Sequence, residues 1–108
     1  MNIVADTNIF LAVALNEPEK AHLIEITAGC RIHAPEILPY EIGNALSAMV
    51  KRQKIQIADV QEIYVITQRV PVTLTQINIK EALEIATQEN IYAYDAYFLQ
   101  CAISLSCA

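Results

Sequence analysis

The feature that most restricts the fold is the opening stretch Asn2-Ile3-Val4-Ala5-Asp6-Thr7-Asn8, a short apolar run that stops on a carboxylate and leads straight into a second apolar run, Ile9 to Leu15. A buried strand followed at once by a helix, with one acid at the hinge, is the simplest structure this pattern allows. In a parallel α/β sheet, ligands bind beyond the carboxyl ends of the strands, so Asp6 stands where chemistry is usually done.

The remaining chain alternates in the same way. Ile9 to Leu15 has no polar face and is expected to be a helix almost surrounded by protein. Pro18 suits the first turn of a second helix, roughly Pro18 to Ala28, with Glu17 and Glu19 near its positive end, Ala21, Ile24 and Ala28 along one side, and Gly29 closing it. Arg31 to Ala34 reads as a short strand ended by Pro35. The segment Ile37 to Arg52 carries a helical stripe in Leu38, Ile42, Ala45, Leu46, Met49 and Val50, with Pro39 in the first turn, where a missing amide matters little. Ile57 to Arg69 repeats that pattern through Ile57, Val60, Ile63, Tyr64 and Thr67. Val70 to Leu74 is strand-like, with Pro71 suggesting an edge. Ile79 to Asn90 gives an amphipathic helix through Ile79, Ala82, Leu83 and Ala86. Tyr92-Ala93-Tyr94 reads as a connector, and Asp95 as the opening of a last helix, Ala96 to Ser106, buried on nearly every side. Strands alternating with helices indicate an α/β protein with a parallel sheet covered on both faces.

At 108 residues and 55% hydrophobic the chain can bury one core, so residues 1–108 are expected to form a single domain. No apolar run approaches the roughly 20 residues that span a bilayer, and the first residues lack the basic region of a signal peptide. No membrane association and a cytoplasmic location are therefore expected. Cys30, Cys101 and Cys107 form an odd set without CxxC spacing, which opposes a disulfide framework or a zinc site and suggests core thiols. Neither His22 nor His33 has the spacing of a ligand pair. The two glycines, Gly29 and Gly43, lie in no strand-to-helix turn, so neither a P-loop nor a dinucleotide fingerprint is present.

The formal net charge of −5 opposes a protein that holds nucleic acid by counterion release alone. If the substrate is RNA or DNA, something else must supply positive charge; a divalent metal would do so, and the small cluster Lys51, Arg52 and Lys54 could help. That cluster also has an ordinary reading, as cations favoured at a helix end.

Most of the twelve acids suit helix surfaces or first turns, but three stand apart. Asp6 ends a buried strand, Glu41 lies at the edge of an apolar stripe beside Ala45 and Ala48, and Asp95 begins a hydrophobic helix. Each has a plain structural alternative: a turn residue at Asp6, a snorkelling side chain at Glu41, an N-cap at Asp95. Together they form the oxygen-rich set that hard cations such as Mg²⁺ and Mn²⁺ prefer, provided the fold brings them to one end of the sheet. Tyr92, Tyr94 and Tyr97 could stack on bases, but the preferred reading of Tyr94 and Tyr97 is packing of the last helix against the sheet.

Three blocks carry a resemblance: Val4-Ala5-Asp6-Thr7-Asn8, Pro39-Tyr40-Glu41-Ile42-Gly43-Asn44-Ala45-Leu46, and Tyr94-Asp95-Ala96-Tyr97-Phe98-Leu99. In order and spacing the chain resembles a PIN domain, particularly the VapC-like ribonuclease toxins of prokaryotic toxin-antitoxin pairs. The resemblance implies a three-layer α/β/α fold and a metal-dependent endoribonuclease. Asp6, Glu41 and Asp95 would bind Mg²⁺ or Mn²⁺, and Thr7 and Asn8 would support them. It also implies an RNA substrate, a homodimer and an antitoxin that covers the site. The family continues past the last helix into further strands, the first with a fourth acid, whereas this chain stops at Ala108 and leaves an open edge on the first strand; the sequence is then a fragment, or another chain supplies that edge, or the product is truncated, and hydrolysis weaker than in complete relatives is expected. The alternative function is a weak or inactive PIN-like interaction module. A phosphatase with Asp6 as nucleophile fits less well, since Asn8 stands where such enzymes usually carry a second acid.

Overall fold

The computed structural model describes residues 1–18 and 20–105. The elements are β1 (Asn2–Val4), α1 (Thr7–Ala14), α2 (Lys20–Thr27), β2 (Arg31–Pro35), α3 (Leu38–Lys51), a 3-10 turn (Ile57–Asp59), α4 (Val60–Gln68), β3 (Thr73–Thr75), α5 (Ile79–Glu89) and α6 (Ala93–Ser104). The expectations for Glu19, for Cys107 and for a helix reaching Ser106 lie outside the described residues. Among the described residues, no helix is long and apolar enough to cross a membrane.

The three strands make a parallel sheet in the order β1-β2-β3, with Ile3 opposite Ile32 and Ala34 opposite Leu74. Two compact units emerge, one of Met1–Asp6, Gly29–Glu36 and Val72–Ala108, the other of Thr7–Ala28 and Ile37–Pro71.

The first unit holds the sheet with α5 and α6. Its helix pair closes on small side chains: Ala82, Ala86 and Ala96 are buried, with Ile77, Ile85, Ile91 and Tyr97 packed around them. Alanines at the contact let two helix backbones approach closely. This decides which faces turn outward, and it differs from the sequence expectation. Ile79 and Leu83 of α5 are about half exposed, as is Leu99 of α6, and Ile103 is 66% exposed, so α6 is not buried on every side. The Asn78 side chain caps α5 by accepting the Glu81 amide at 3.1 Å, and Asn90, at φ 53°, ends it in the left-handed conformation. Buried Gln100 ties the two helices together. Its Oε1 accepts the Asn78 amide at 3.3 Å, and its Nε2 donates to Glu81 Oε2 at 3.2 Å.

Two further boundaries differ from expectation. The last helix starts at Ala93 with Tyr92 as its N-cap, so Tyr92 to Tyr94 is not a connector and Asp95 is not the cap. β3 lies at an edge, as Pro71 suggested, but pairing begins only at Thr73 opposite His33, leaving Pro71 outside the ladder where it removes no hydrogen bond.

The second unit packs α1, α3 and α4 on one another. Phe10 and Leu11 of α1, Leu38, Ile42 and Leu46 of α3, and Thr67 of α4 are buried. The α3 stripe is thus used as its periodicity predicts. The stripe after it is used less fully, since Ile57 is 77% exposed at the 3-10 turn. The side of α2 bearing Ala21 and Ile24 also faces outward. Gly29, at φ 78°, makes the turn after α2 that a side chain would strain.

Candidate functional site

Asp6 is placed by the sheet. The last ladder bond on β1 runs from the Ala5 amide to the His33 carbonyl at 3.1 Å, and Ala5 is buried. Asp6 is the first residue beyond it and is exposed, at the carboxyl end of a parallel strand.

Asp95 belongs to the same unit. It is the third residue of α6, in the first turn, where the partial positive charge of the helix terminus favours a carboxylate. The neighbouring Ala96 is fully buried, which pins that turn, while Asp95 itself is exposed. Since α6 packs against both β1 and β2, the helix that carries Asp95 rests on the strand that leads to Asp6.

Glu41 and Thr7 belong to the second unit. Glu41 sits in the first turn of α3, half-buried, its amide bonded to the Ile37 carbonyl at 3.0 Å. Thr7, the first residue of α1, donates its hydroxyl to Glu41 Oε2 at 3.0 Å. The bond restrains the carboxylate and fixes which oxygen faces the threonine. Asn8 follows on α1 and is exposed.

His22 is exposed on α2. His33, on β2, has both ring nitrogens buried and without a hydrogen-bond partner among the described residues. Cys101 is buried and Cys30 partly so, in keeping with structural thiols. Tyr94 does not pack against the sheet. It is 62% exposed, and its ring meets Tyr97 edge-on, with centroids 5.7 Å apart. The sequence reading missed the Gln100 tie, although a lone amide among Phe98, Leu99, Cys101 and Ala102 was its visible signal.

Asp6, Glu41 and Asp95 offer oxygen donors alone, the chemistry of a hard dication. Among the described residues, no group of three or more His, Cys, Asp or Glu side chains is placed to hold a metal ion. Mg²⁺ rarely needs such a cage, because it keeps several waters and is held through one or two carboxylates together with substrate phosphates. Oxygen donors of this kind are the ones such an ion prefers.

These features define an α/β domain that presents carboxylates at the end of a parallel strand and in the first turns of two helices. The PIN domain family model matches residues 3–108, and the chain belongs to that family. It is similar to VapC ribonuclease Mb0985 of Mycobacterium bovis and to ribonuclease VapC9 of Mycobacterium tuberculosis, 32% identical to each over 108 residues, which is 98% of this chain and 81% of theirs.

Proposed function

We propose that the chain is a metal-dependent endoribonuclease of the VapC-like toxin type, acting as one domain over residues 1–108. The observation that carries this reading is membership of the PIN family over nearly the whole chain, with relatives that are named ribonucleases. Asp6, Glu41 and Asp95 would hold Mg²⁺ or Mn²⁺. When bound, such an ion generates hydroxide, neutralises phosphate charge and steadies the leaving oxygen.

The chain's own residues supply position. Asp6, directly beyond the rigid end of β1, is the central ligand in this reading, with Glu41 and Asp95 flanking it. Thr7 keeps the Glu41 carboxylate from rotating freely, a supporting bond of the kind that tunes metal affinity. Asn8 is the second supporting residue. Carboxylates alone would repel RNA, so at a net charge of −5 the dication would strengthen binding as well as supply the chemistry. The reading extends to a homodimer, an antitoxin partner and a cytoplasmic location.

The test is incubation of end-labelled RNA with the chain in Mn²⁺ and in excess chelator. Cleavage only with Mn²⁺ is expected, and equal cleavage in chelator would rule out a metal-dependent enzyme.

A further inference from the structure

We propose that the basic turn at the end of α3 is a subsite for the phosphate backbone of single-stranded RNA. The proposal rests on the ribonuclease reading and places a second contact on the same helix as Glu41. Lys51, Arg52 and Lys54 are three of only seven cations in the chain, and residues 42 to 58 contain no acid. All three are exposed, and none has an ion pair among the described residues.

The helix end does not need these cations as hydrogen-bond caps, which leaves the dipole alone to favour them there. The chain leaves α3 with Gln53 in the left-handed conformation at φ 58°. The Gln53 amide bonds to the Val50 carbonyl at 3.0 Å, and the Lys54 amide to the Met49 carbonyl at 2.9 Å. This is a complete Schellman closure, in which backbone amides satisfy the terminal carbonyls. The basic side chains are left to solvent.

Their position relative to Glu41 points to the ligand. At about 100° and 1.5 Å per residue, Arg52 lies nearly in line with Glu41 and roughly 16 Å further along the helix. Between them the same line carries only Ala45 and Ala48, both partly exposed. A carboxylate, two methyl groups and a guanidinium form a low track with a metal-binding residue at one end and an anion-binding residue at the other. A nucleic-acid strand places a phosphate about every 3.4 Å when helical and fewer when stretched, so the track spans at most about five phosphates. An acidic peptide would also meet the cations, but it would gain nothing from alignment with Glu41.

The test measures binding of a fluorescein-labelled, roughly 12-nucleotide single-stranded RNA by anisotropy across a salt series, in chelator to prevent cleavage. The full chain is compared with Lys51→Gln/Arg52→Gln/Lys54→Gln, and with Arg31→Gln/Arg69→Gln/Lys80→Gln, which removes the same charge elsewhere. Each phosphate contact contributes about 0.7 to the slope of log affinity against log salt, so the α3 variant is expected to lose about 2 from that slope and at least tenfold in affinity. The control is expected to change far less. Single Arg52→Gln, expected to lose about 0.7, covers the case in which the triple variant fails to fold. Equal slopes for the chain and the α3 variant, equal losses in both triple variants, or retained RNA binding with lost binding of a Glu-rich peptide would each overturn the subsite. If the parent cleaves RNA and the α3 variant binds it unchanged, the subsite alone fails; if the parent neither binds nor cleaves RNA, the ribonuclease reading fails with it.

Discussion

Thr7 Oγ1 stands 3.0 Å from Glu41 Oε2, joining the first residue of α1 to the first turn of α3 across 34 positions of sequence. The bond makes the threonine a positioning group for the carboxylate. Thr7→Val keeps the shape and removes the donor. Its melting temperature is expected to fall little, because a part-exposed hydrogen bond contributes about 1 kcal/mol or less. Mn²⁺ affinity, measured by calorimetry, should weaken about tenfold, as when a supporting group of a metal ligand is lost. Thr7→Ser should restore it, and unchanged affinity in Thr7→Val would show that Glu41 needs no such partner.

Gln53 occupies a left-handed backbone position that glycine adopts without strain. Gln53→Gly is expected to stabilise the chain by up to about 1 kcal/mol, partly offset by the greater freedom of glycine in the unfolded state. The change would appear as a rise of a few degrees in thermal melting. A fall would mean that the closure at the end of α3 is not the one described.

Gln100 is 4% exposed and serves both the Asn78 amide and Glu81. Gln100→Leu would leave the amide at the start of α5 without its partner. The expected cost is about 1–3 kcal/mol, read from urea unfolding. A neutral result would indicate that water replaces the amide group fully.

Much of this architecture is legible in the chain. The stop at Asp6 after Ile3-Val4-Ala5, the α3 stripe and the strand before Pro35 all follow from apolar period and turn chemistry. The start of α6 was not legible, because Asp95 imitates a cap signal while the actual cap, Tyr92, forms no side-chain bond and leaves no trace in composition. The outward faces of α5 and α6 were hidden for another reason. Ile79 and Leu83 outweigh Ala82 and Ala86 in hydrophobicity, yet close helix packing selects the small side chains, a preference that periodicity alone does not reveal. The three acids could be picked out by their settings, but the hydroxyl that restrains Glu41 depends on a contact 34 residues away.

The most direct test of the central claim is cleavage of a defined RNA in Mn²⁺ by the chain and by Asp6→Asn, which keeps the size of the side chain and removes its charge. The account predicts product from the chain and a loss of at least about a hundredfold in Asp6→Asn, the scale of removing several kcal/mol of transition-state stabilisation. Equal rates for the two proteins would contradict it.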